Sequence, residues 1–118
     1  MPRFVLLHHV VPAGFRQATH YDLMLEHEGQ LLTWALAELP REGLTISAIQ
    51  LPDHRLAYLD YEGPVSGDRG EVSRVDEGTF DWVERSDSQI RILLRRPSET
   101  VNVELRREND DQWNVTFS

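Results

Sequence analysis

The stretch His20-Tyr21-Asp22-Leu23-Met24-Leu25, with the turn-like Glu28-Gly29-Gln30 after it, decides how this chain is predicted to fold. Its apolar and polar side chains alternate well enough to indicate a β-strand with one buried face. The glycine-containing turn leads directly into a second apolar segment, residues 31–36, so the sequence predicts a β-hairpin. Side chains two residues apart in a strand share a face, so His20 and Asp22 are expected side by side, with Cα atoms roughly 6–7 Å apart.

Strand-like segments continue along the whole chain, separated by short turns. The predicted strands are 4–11, 21–28, 31–36, 44–51, 56–61, 71–75, 79–85, 89–95, 100–107 and 113–117. Residues 62–70 contain three glycines and a proline and are predicted to form a loop. Residues 35–39, before Pro40, fit either the end of a strand or a short helical turn. This pattern predicts an all-β, mostly antiparallel fold, either a closed barrel or a sandwich, with at most a short helix.

Length and composition favour one compact domain over residues 1–118, since the chain is 40% hydrophobic and 27% charged. No apolar run approaches the ~18 residues of a membrane span, and no targeting segment is visible, so we expect a cytoplasmic protein without membrane contact. The chain has no cysteine, so any bound metal must be held by histidine and carboxylate groups. Its net charge of −8 argues against a general nucleic-acid coat.

The histidines indicate a metal site. The spacing of His20 and Asp22 suits two ligands of one ion, and an imidazole from His9 or His54 would complete a set of two histidines and one carboxylate. Such a set leaves coordination positions open for a substrate. His8 and His9 are adjacent in a predicted strand, so only one of them can face a given side.

Several blocks of sequence, taken together, resemble the 3′-phosphoesterase domain of bacterial DNA ligase D. In order and approximate spacing they extend from residue 4 to about residue 82, roughly two thirds of the chain. The blocks are Phe4-Val5-Leu6-Leu7-His8-His9, His20-Tyr21-Asp22-Leu23-Met24-Leu25-Glu26, Trp34-Ala35, Leu51-Pro52-Asp53-His54-Arg55-Leu56-Ala57-Tyr58, Tyr61-Glu62-Gly63 and Asp76-Glu77-Gly78-Thr79-Phe80.

The resemblance implies a compact β-barrel that processes 3′ ends of DNA or RNA-tipped DNA during strand-break repair. It implies removal of a 3′-terminal ribonucleoside and then of the remaining 3′-phosphate, with Mn²⁺ as the cofactor and a repair ligase or polymerase as an associated protein. By motif position, the implied metal ligands are His9, His20 and Asp22. The implied phosphate-contacting histidine is His54, and Tyr58 matches a supporting tyrosine.

The chain departs from the family pattern at three cationic positions, where Met24, Glu38 and Ile46 replace an arginine, a lysine and an arginine. Charge-assisted contacts of ~1.5–3 kcal/mol each are expected to be lost there, which would weaken phosphate binding by orders of magnitude. Nearby arginines are candidate substitutes for binding the substrate. They are Arg16, Arg41 and Arg55.

The sequence leaves three functions open. The first is a metal-dependent 3′-end-processing phosphoesterase. The second is a divergent, non-catalytic metal-containing domain that binds a nucleic-acid end or a protein partner, which the missing cations favour. The third is a small cupin-like non-haem iron enzyme, because His20 and Asp22 with a distal His54 also fit a facial triad.

Overall fold

The computed structural model describes residues 1–15, 18–67, 69–97 and 99–118. Its strands are β1 (Arg3–Val10), β2 (His20–His27), β3 (Gln30–Leu36), β4 (Thr45–His54), β5 (Gly63–Pro64), β6 (Glu71–Arg85), β7 (Gln89–Arg95), β8 (Thr100–Asn109) and β9 (Gln112–Phe117). Antiparallel pairing runs in the order β1-β2-β3-β4-β9-β8-β7-β6, and β6 pairs with β1 to close an eight-stranded barrel. The structure confirms the prediction of an all-β barrel. In the described ranges no helix has the length and apolarity to cross a membrane.

The hairpin predicted from the opening stretch joins β2 to β3. Its closing pair is His27 and Gln30. The two residues between them, Glu28 and Gly29, have φ of 49° and 80°. Two-residue turns of type I′ require positive φ at both positions, because that geometry matches the twist of the flanking strands.

Alternation along the strands separates the barrel interior from its outer wall. Phe4 and Leu6 of β1 and Leu23 and Leu25 of β2 are buried inside the barrel, where they pack with Trp34 of β3. Burying each such side chain contributes ~1.5–3 kcal/mol to folding. The intervening residues on β1–β3 face outward and belong to a second buried cluster. That outer cluster contains Val5, Leu7, Met24, Leu31, Leu59, Val65 and Val72.

The outer cluster is covered by the chain between β4 and β6, which we call the crossing segment (residues 55–67, 69 and 70). It begins with a short 3-10 helix, Leu56–Leu59, whose Leu59 is buried against the barrel wall. Two ion pairs tie the segment down: Arg3 Nη2 lies 2.8 Å from Asp60 Oδ1, and Arg74 Nη1 lies 3.6 Å from Glu62 Oε1. The crossing segment therefore forms a second layer outside one part of the barrel.

The prediction of a strand at residues 56–61 was wrong, because Leu56–Leu59 form the 3-10 helix and residues 60 and 61 follow it outside any strand. Backbone hydrogen bonds run from Tyr58 N to Arg55 O and from Asp60 N to Ala57 O. In a closed barrel β1, β2 and β3 already have partners on both sides, so a strand lying across them would find no free edge. In the 3-10 helix Leu59 is buried against the barrel wall, whereas Leu56 is exposed.

The predicted break at residues 76–78 was also wrong, since β6 runs continuously from Glu71 to Arg85. Gly78 lies within this strand, where neighbouring strands come close together. A Cβ at this position would collide with the carbonyl oxygen of Arg95 on β7 and would touch the ring of Phe4 on β1. Within a strand, glycine often marks such an approach between backbones.

Candidate metal centre

The candidate metal ligands lie on the outer wall of the barrel, beneath the crossing segment. His9 of β1 is paired in register with His20 of β2, and Asp22 follows two residues later on the same face as His20. His8 faces the opposite side, where its ring stacks on Tyr21 with centroids 4.7 Å apart. The structure thus brings His9, and not His8, to His20 and Asp22.

The three side chains converge around one carboxylate. His20 Nε2 lies 3.0 Å from Asp22 Oδ1, and His9 Nδ1 lies 3.4 Å from Asp22 Oδ2. One ligand atom from each residue can be chosen so that all three lie within 4.8 Å of one another. His20 and Asp22 are buried, with 6% and 2% of their surface exposed. The arrangement forms a buried cluster of two imidazoles and one carboxylate.

Backbone carbonyls fix which nitrogen of each ring carries the proton. His20 Nδ1 lies 2.7 Å from the carbonyl oxygen of Ala18, and His9 Nε2 lies 2.8 Å from that of Arg69. A carbonyl oxygen only accepts, so these nitrogens are the donors. In the neutral rings, His20 Nε2 and His9 Nδ1 are then unprotonated, and both face Asp22.

The two imidazole nitrogens and the Asp22 carboxylate are acceptors that face one another. His20 Nε2 and Asp22 Oδ1 are buried and have no hydrogen-bond partner of suitable geometry among the described residues, although only 3.0 Å separates them. Two facing acceptors need a proton or a metal ion between them. Metal-binding histidines almost always donate their second nitrogen to a carbonyl or carboxylate, as both rings do here. The donor set therefore fits a divalent cation.

Protonation of the metal-free site follows the same electrostatics. Burial by itself lowers the pKa of His20, but the contact with Asp22, its negative charge and the Ala18 carbonyl outweigh burial, so the pKa of His20 is raised. Burial by itself raises the pKa of Asp22, but the contacts with His20 and His9 and their charges outweigh it, so the pKa of Asp22 is lowered. The metal-free pair therefore favours an imidazolium beside a carboxylate.

The cluster opens into a cavity of about 400 Å³ between the barrel wall and the crossing segment. His54, at the end of β4, lines this cavity, and its Nδ1 donates to the carbonyl oxygen of Pro52 at 2.9 Å. Tyr58 of the 3-10 helix packs edge-on against the His54 ring, with centroids 5.6 Å apart. The cavity also brings Arg55 and Arg69 to the same opening.

The candidate substrate-binding arginines have different positions. Arg55 lines the cavity of the cluster, whereas Arg41 lines a second cavity with Arg96 and Glu99. Arg16 lies outside the described residues. Arg69 was missed by the sequence reasoning, since it lies in a turn-rich stretch without periodicity. It approaches the site only because the crossing segment folds back onto β1, where a Cβ on Gly70 would collide with the Val10 carbonyl.

The positions that lost a cation are not equivalent. Met24 is buried and lines the cavity of the cluster, so a cation at this position would face the opening. Ile46 is buried inside the barrel, on the other side of the wall, and Glu38 is exposed. A side chain at position 46 therefore has no access to this cavity.

Comparison with known proteins decides the family. The model of the DNA ligase D 3′-phosphoesterase domain matches residues 13–115. The chain belongs to this family. The match confirms the resemblance from residue 13 onward and extends it beyond the motif blocks, through β7 and β8 and into β9, while the first block, residues 4–9, lies before the matched range.

The relatives of this family member are much longer proteins. Over 113 residues it is 31% identical to the multifunctional non-homologous end joining protein LigD of Mycobacterium bovis, covering 88% of the chain and 15% of that protein. The same figures hold for the multifunctional non-homologous end joining DNA repair protein LigD of Mycobacterium tuberculosis. The multifunctional non-homologous end joining protein LigD of Pseudomonas aeruginosa is 36% identical over 62 residues, covering 51% of the chain and 7% of that protein. The chain thus spans about 15% of the length of its mycobacterial relatives.

Proposed function

We propose that this family member is a divalent-metal-dependent phosphoesterase acting on 3′ ends of DNA, or of DNA tipped with ribonucleotides, in strand-break repair. The observation that carries the proposal is the convergence of His9, His20 and Asp22 in one cavity with His54. Membership of the 3′-phosphoesterase family supports the same reaction class. The proposal includes a cytoplasmic location and work beside a repair ligase or polymerase.

The proposed ligands are His9 Nδ1, His20 Nε2 and Asp22, and the proposed ion is Mn²⁺. Three protein ligands leave coordination positions free for substrate oxygen and water. A divalent ion in this position would supply Lewis-acid polarisation of a phosphate oxygen and acidify a water molecule. The choice of Mn²⁺ follows the family resemblance, and a mixed imidazole and carboxylate set is compatible with it.

His54 is the proposed proton donor to the leaving group. Its Nδ1 hydrogen bonds to the Pro52 carbonyl, which leaves Nε2 as the nitrogen that exchanges a proton with substrate. In cleavage of a 3′-phosphate monoester, a water oxygen bonds to phosphorus and the bond from phosphorus to the 3′ oxygen breaks. The departing 3′ oxygen takes the proton of imidazolium Nε2 and becomes a hydroxyl. The attacking water releases one of its protons to solvent, and His54 regains a proton from solvent. Tyr58 would position the ring through the edge-on contact between them.

Removal of a 3′-terminal ribonucleoside would use the same groups on a phosphodiester. Water would again add to phosphorus, while the bond from phosphorus to the 5′ oxygen of the terminal ribonucleoside breaks. The 5′ oxygen takes the His54 proton, and the phosphate stays on the shortened strand. The product of this step is then the substrate for phosphate removal.

Two observations favour a second candidate function, binding without turnover. Met24 places a buried, uncharged side chain on the cavity wall where the family has an arginine. The net charge of −8 also opposes the approach of a polyanion. The second candidate is therefore a metal-containing domain that holds a nucleic-acid end or a protein partner.

Release of inorganic phosphate from a primer–template with a 3′-phosphate separates the two candidates. We expect Mn²⁺-dependent release by the wild type, loss of release in His20→Ala, and unchanged release in His27→Ala, a histidine at the opposite end of β2. A wild type that binds Mn²⁺ through His20 but leaves the 3′-phosphate intact would contradict the phosphoesterase and favour the binding domain. Parallel assays with Fe²⁺ and Zn²⁺ test the choice of ion.

A further inference from the structure

The crossing segment lines a further, open cavity directly beside the cavity of the His9, His20 and Asp22 cluster, which we call the metal cavity. This side cavity has a volume of about 260 Å³. Arg55, Tyr58 and Val65 line both cavities, so the two adjoin along the 3-10 helix. The remaining lining residues are Ala57, Tyr61, Pro64 and Ser66. A ligand held at the metal centre therefore lies next to the side cavity.

Tyr61 gives the side cavity a rigid aromatic wall. The side chain of Tyr61 is partly exposed, yet its hydroxyl donates to the carbonyl oxygen of Pro64. Its ring meets Tyr58 edge-on, with centroids 5.8 Å apart and planes at 89°. Gly63 leaves room for this hydroxyl, since a Cβ there would lie 3.3 Å from it. A fixed, exposed ring can stack a flat ligand with little further loss of side-chain entropy.

The chemistry of the lining residues fits a nucleobase and its sugar. The described lining residues are neutral except for Arg55, which stands where the side cavity meets the metal cavity. Arg55 can therefore approach a phosphate or sugar oxygen, while Tyr61 and Pro64 offer apolar faces to a base. The Ser66 hydroxyl accepts from Arg69 Nη2 at 3.1 Å and keeps its own proton for a base edge. Stacking on aromatic rings tolerates any base, because every base has a π face.

We propose that the side cavity binds the nucleoside that carries the phosphate held at the metal centre, with its base stacked on Tyr61. The inference rests on the proposed function for the position of the phosphate, and it assigns the substrate a nucleoside instead of a small non-nucleic phosphate ester. Arg55 contacts the ligand where its phosphate joins its sugar. Tyr61 is a binding residue that discriminates between ligands and takes no part in proton transfer.

The test compares two ligands of the Mn²⁺-loaded protein by isothermal titration calorimetry: inorganic phosphate and an adenosine 3′-phosphonate in which CH₂ replaces the 3′ oxygen, so that the proposed activity cannot cleave it. Stacking contributes about 1–3 kcal/mol per base, so the phosphonate is expected to bind about 5- to 150-fold more tightly than phosphate. Tyr61→Ala should bring this ratio close to one without changing the affinity for phosphate. Tyr61→Phe keeps the ring and should keep the ratio, as should the control Val83→Ala at an exposed position on β6.

A second measurement uses the wild type alone, so that it does not depend on how the variants fold. With diamagnetic Zn²⁺ bound, the same adenosine 3′-phosphonate should shift the Tyr61 ring protons upfield in NMR spectra, and inorganic phosphate should not. Equal shifts with both ligands, or an affinity ratio near one in the wild type, would overturn the proposal. Neither readout needs turnover. If the affinity ratio depends on Tyr61 but no phosphate is released from a 3′-phosphorylated end, this inference holds and the proposed activity fails. If phosphate is released but the affinity ratio is one, the proposed activity holds and this inference fails.

Discussion

Nε2 of His9 donates a hydrogen bond of 2.8 Å to the backbone carbonyl of Arg69. The crossing segment thereby orients a ring on β1 so that Nδ1 of His9 faces Asp22, 3.4 Å away. The guanidinium of Arg69 is held separately, by bonds of 2.7 Å and 3.1 Å to the carbonyl oxygen and hydroxyl of Ser66. One residue thus orients a candidate metal ligand through its backbone and brings a positive charge to the cavity through its side chain.

We expect the side chain of Arg69 to bind the substrate phosphate. Arg69→Gln removes the charge and keeps the carbonyl, so Mn²⁺ affinity should not change. KM for a 3′-phosphorylated primer–template should rise about tenfold, the lower end of the range for charge-assisted contacts because Arg69 is exposed. Steady-state kinetics with Arg91→Gln as the control, an arginine on β7 paired with Glu84, tests this. An equal rise in KM in both variants would show only a general effect of net charge.

Asp22 is the centre of the proposed ligand set, since both imidazoles face its carboxylate. Asp22→Asn keeps the shape of the side chain and removes its charge. Mn²⁺ affinity should fall by more than about a hundredfold, a larger loss than the 10- to 100-fold typical of outer partners of a metal site. Competition with a fluorescent chelator measures the loss. Asp53→Asn, at an exposed acid lining the same cavity, is the matched control and should bind Mn²⁺ nearly as well as the wild type.

The pKa shifts of the cluster predict how pH acts on the metal-free protein. The pKa of His20 is raised, so its contribution to stability is full below the ordinary value of about 6.5 and is lost as pH rises through the raised pKa. The pKa of Asp22 is lowered, so its contribution is present above its ordinary value of about 3.8 and is lost as pH falls through the lowered pKa. The pair therefore stabilises the metal-free barrel most between about pH 4 and pH 6.5.

Thermal unfolding in the presence of a chelator tests this window. Between pH 6 and pH 8 the melting temperature should decrease more in the wild type than in His20→Gln, which has no titrating ring at that position. Mn²⁺ competes with the proton for His20 Nε2, so Mn²⁺ affinity should increase over the same range. A wild type and a His20→Gln variant with parallel pH profiles would contradict the assignment of the raised pKa.

Local patterns were enough to predict most strands and the β2–β3 hairpin, because alternation and turn chemistry act over a few residues. The shared face of His20 and Asp22 followed from the same alternation. The choice between His8 and His9 depended on which face of β1 turns outward, and the family resemblance supplied it before the structure did. The barrel itself came from the resemblance, since spacing alone left a sandwich equally open.

The crossing segment could not be predicted from local patterns. Residues 56–61 are apolar enough for a strand, and only the closure of the barrel, which leaves no free edge, excludes that conformation. The approach of Arg69 to His9 joins residues 60 positions apart, a contact without any local signal. Ile46 is a case in which the motif suggested a contact that the structure excludes. The family pattern indicated a phosphate-contacting cation at this position, but the side chain is buried inside the barrel and has no access to the phosphate site.

Gly78 is expected to matter for barrel closure. Gly78→Ala puts a methyl group against the Arg95 carbonyl and the Phe4 ring, between β1 and β7. The backbones must shift, and we expect a loss of about 1–3 kcal/mol in the free energy of unfolding. Urea denaturation measures it, with Ser73→Ala, an exposed position on the same strand, as the control. A change below about 0.5 kcal/mol, the usual size for surface substitutions, would argue against a tight approach at this point.

Substitution of Met24 by arginine tests whether an added cation improves binding of the substrate phosphate. Its buried side chain lines the metal cavity at the position of the family's arginine. Met24→Arg should lower KM for a 3′-phosphorylated end by about tenfold or more, as one charge-assisted contact is restored. The same change should cost about 1–3 kcal/mol of stability, because a charge replaces an apolar side chain packed in the outer cluster. Met24→Leu conserves volume and should alter neither quantity appreciably. If Met24→Arg folds, binds Mn²⁺ and leaves KM unchanged, the missing arginine does not limit phosphate binding, and Arg55 and Arg69 become sufficient for it.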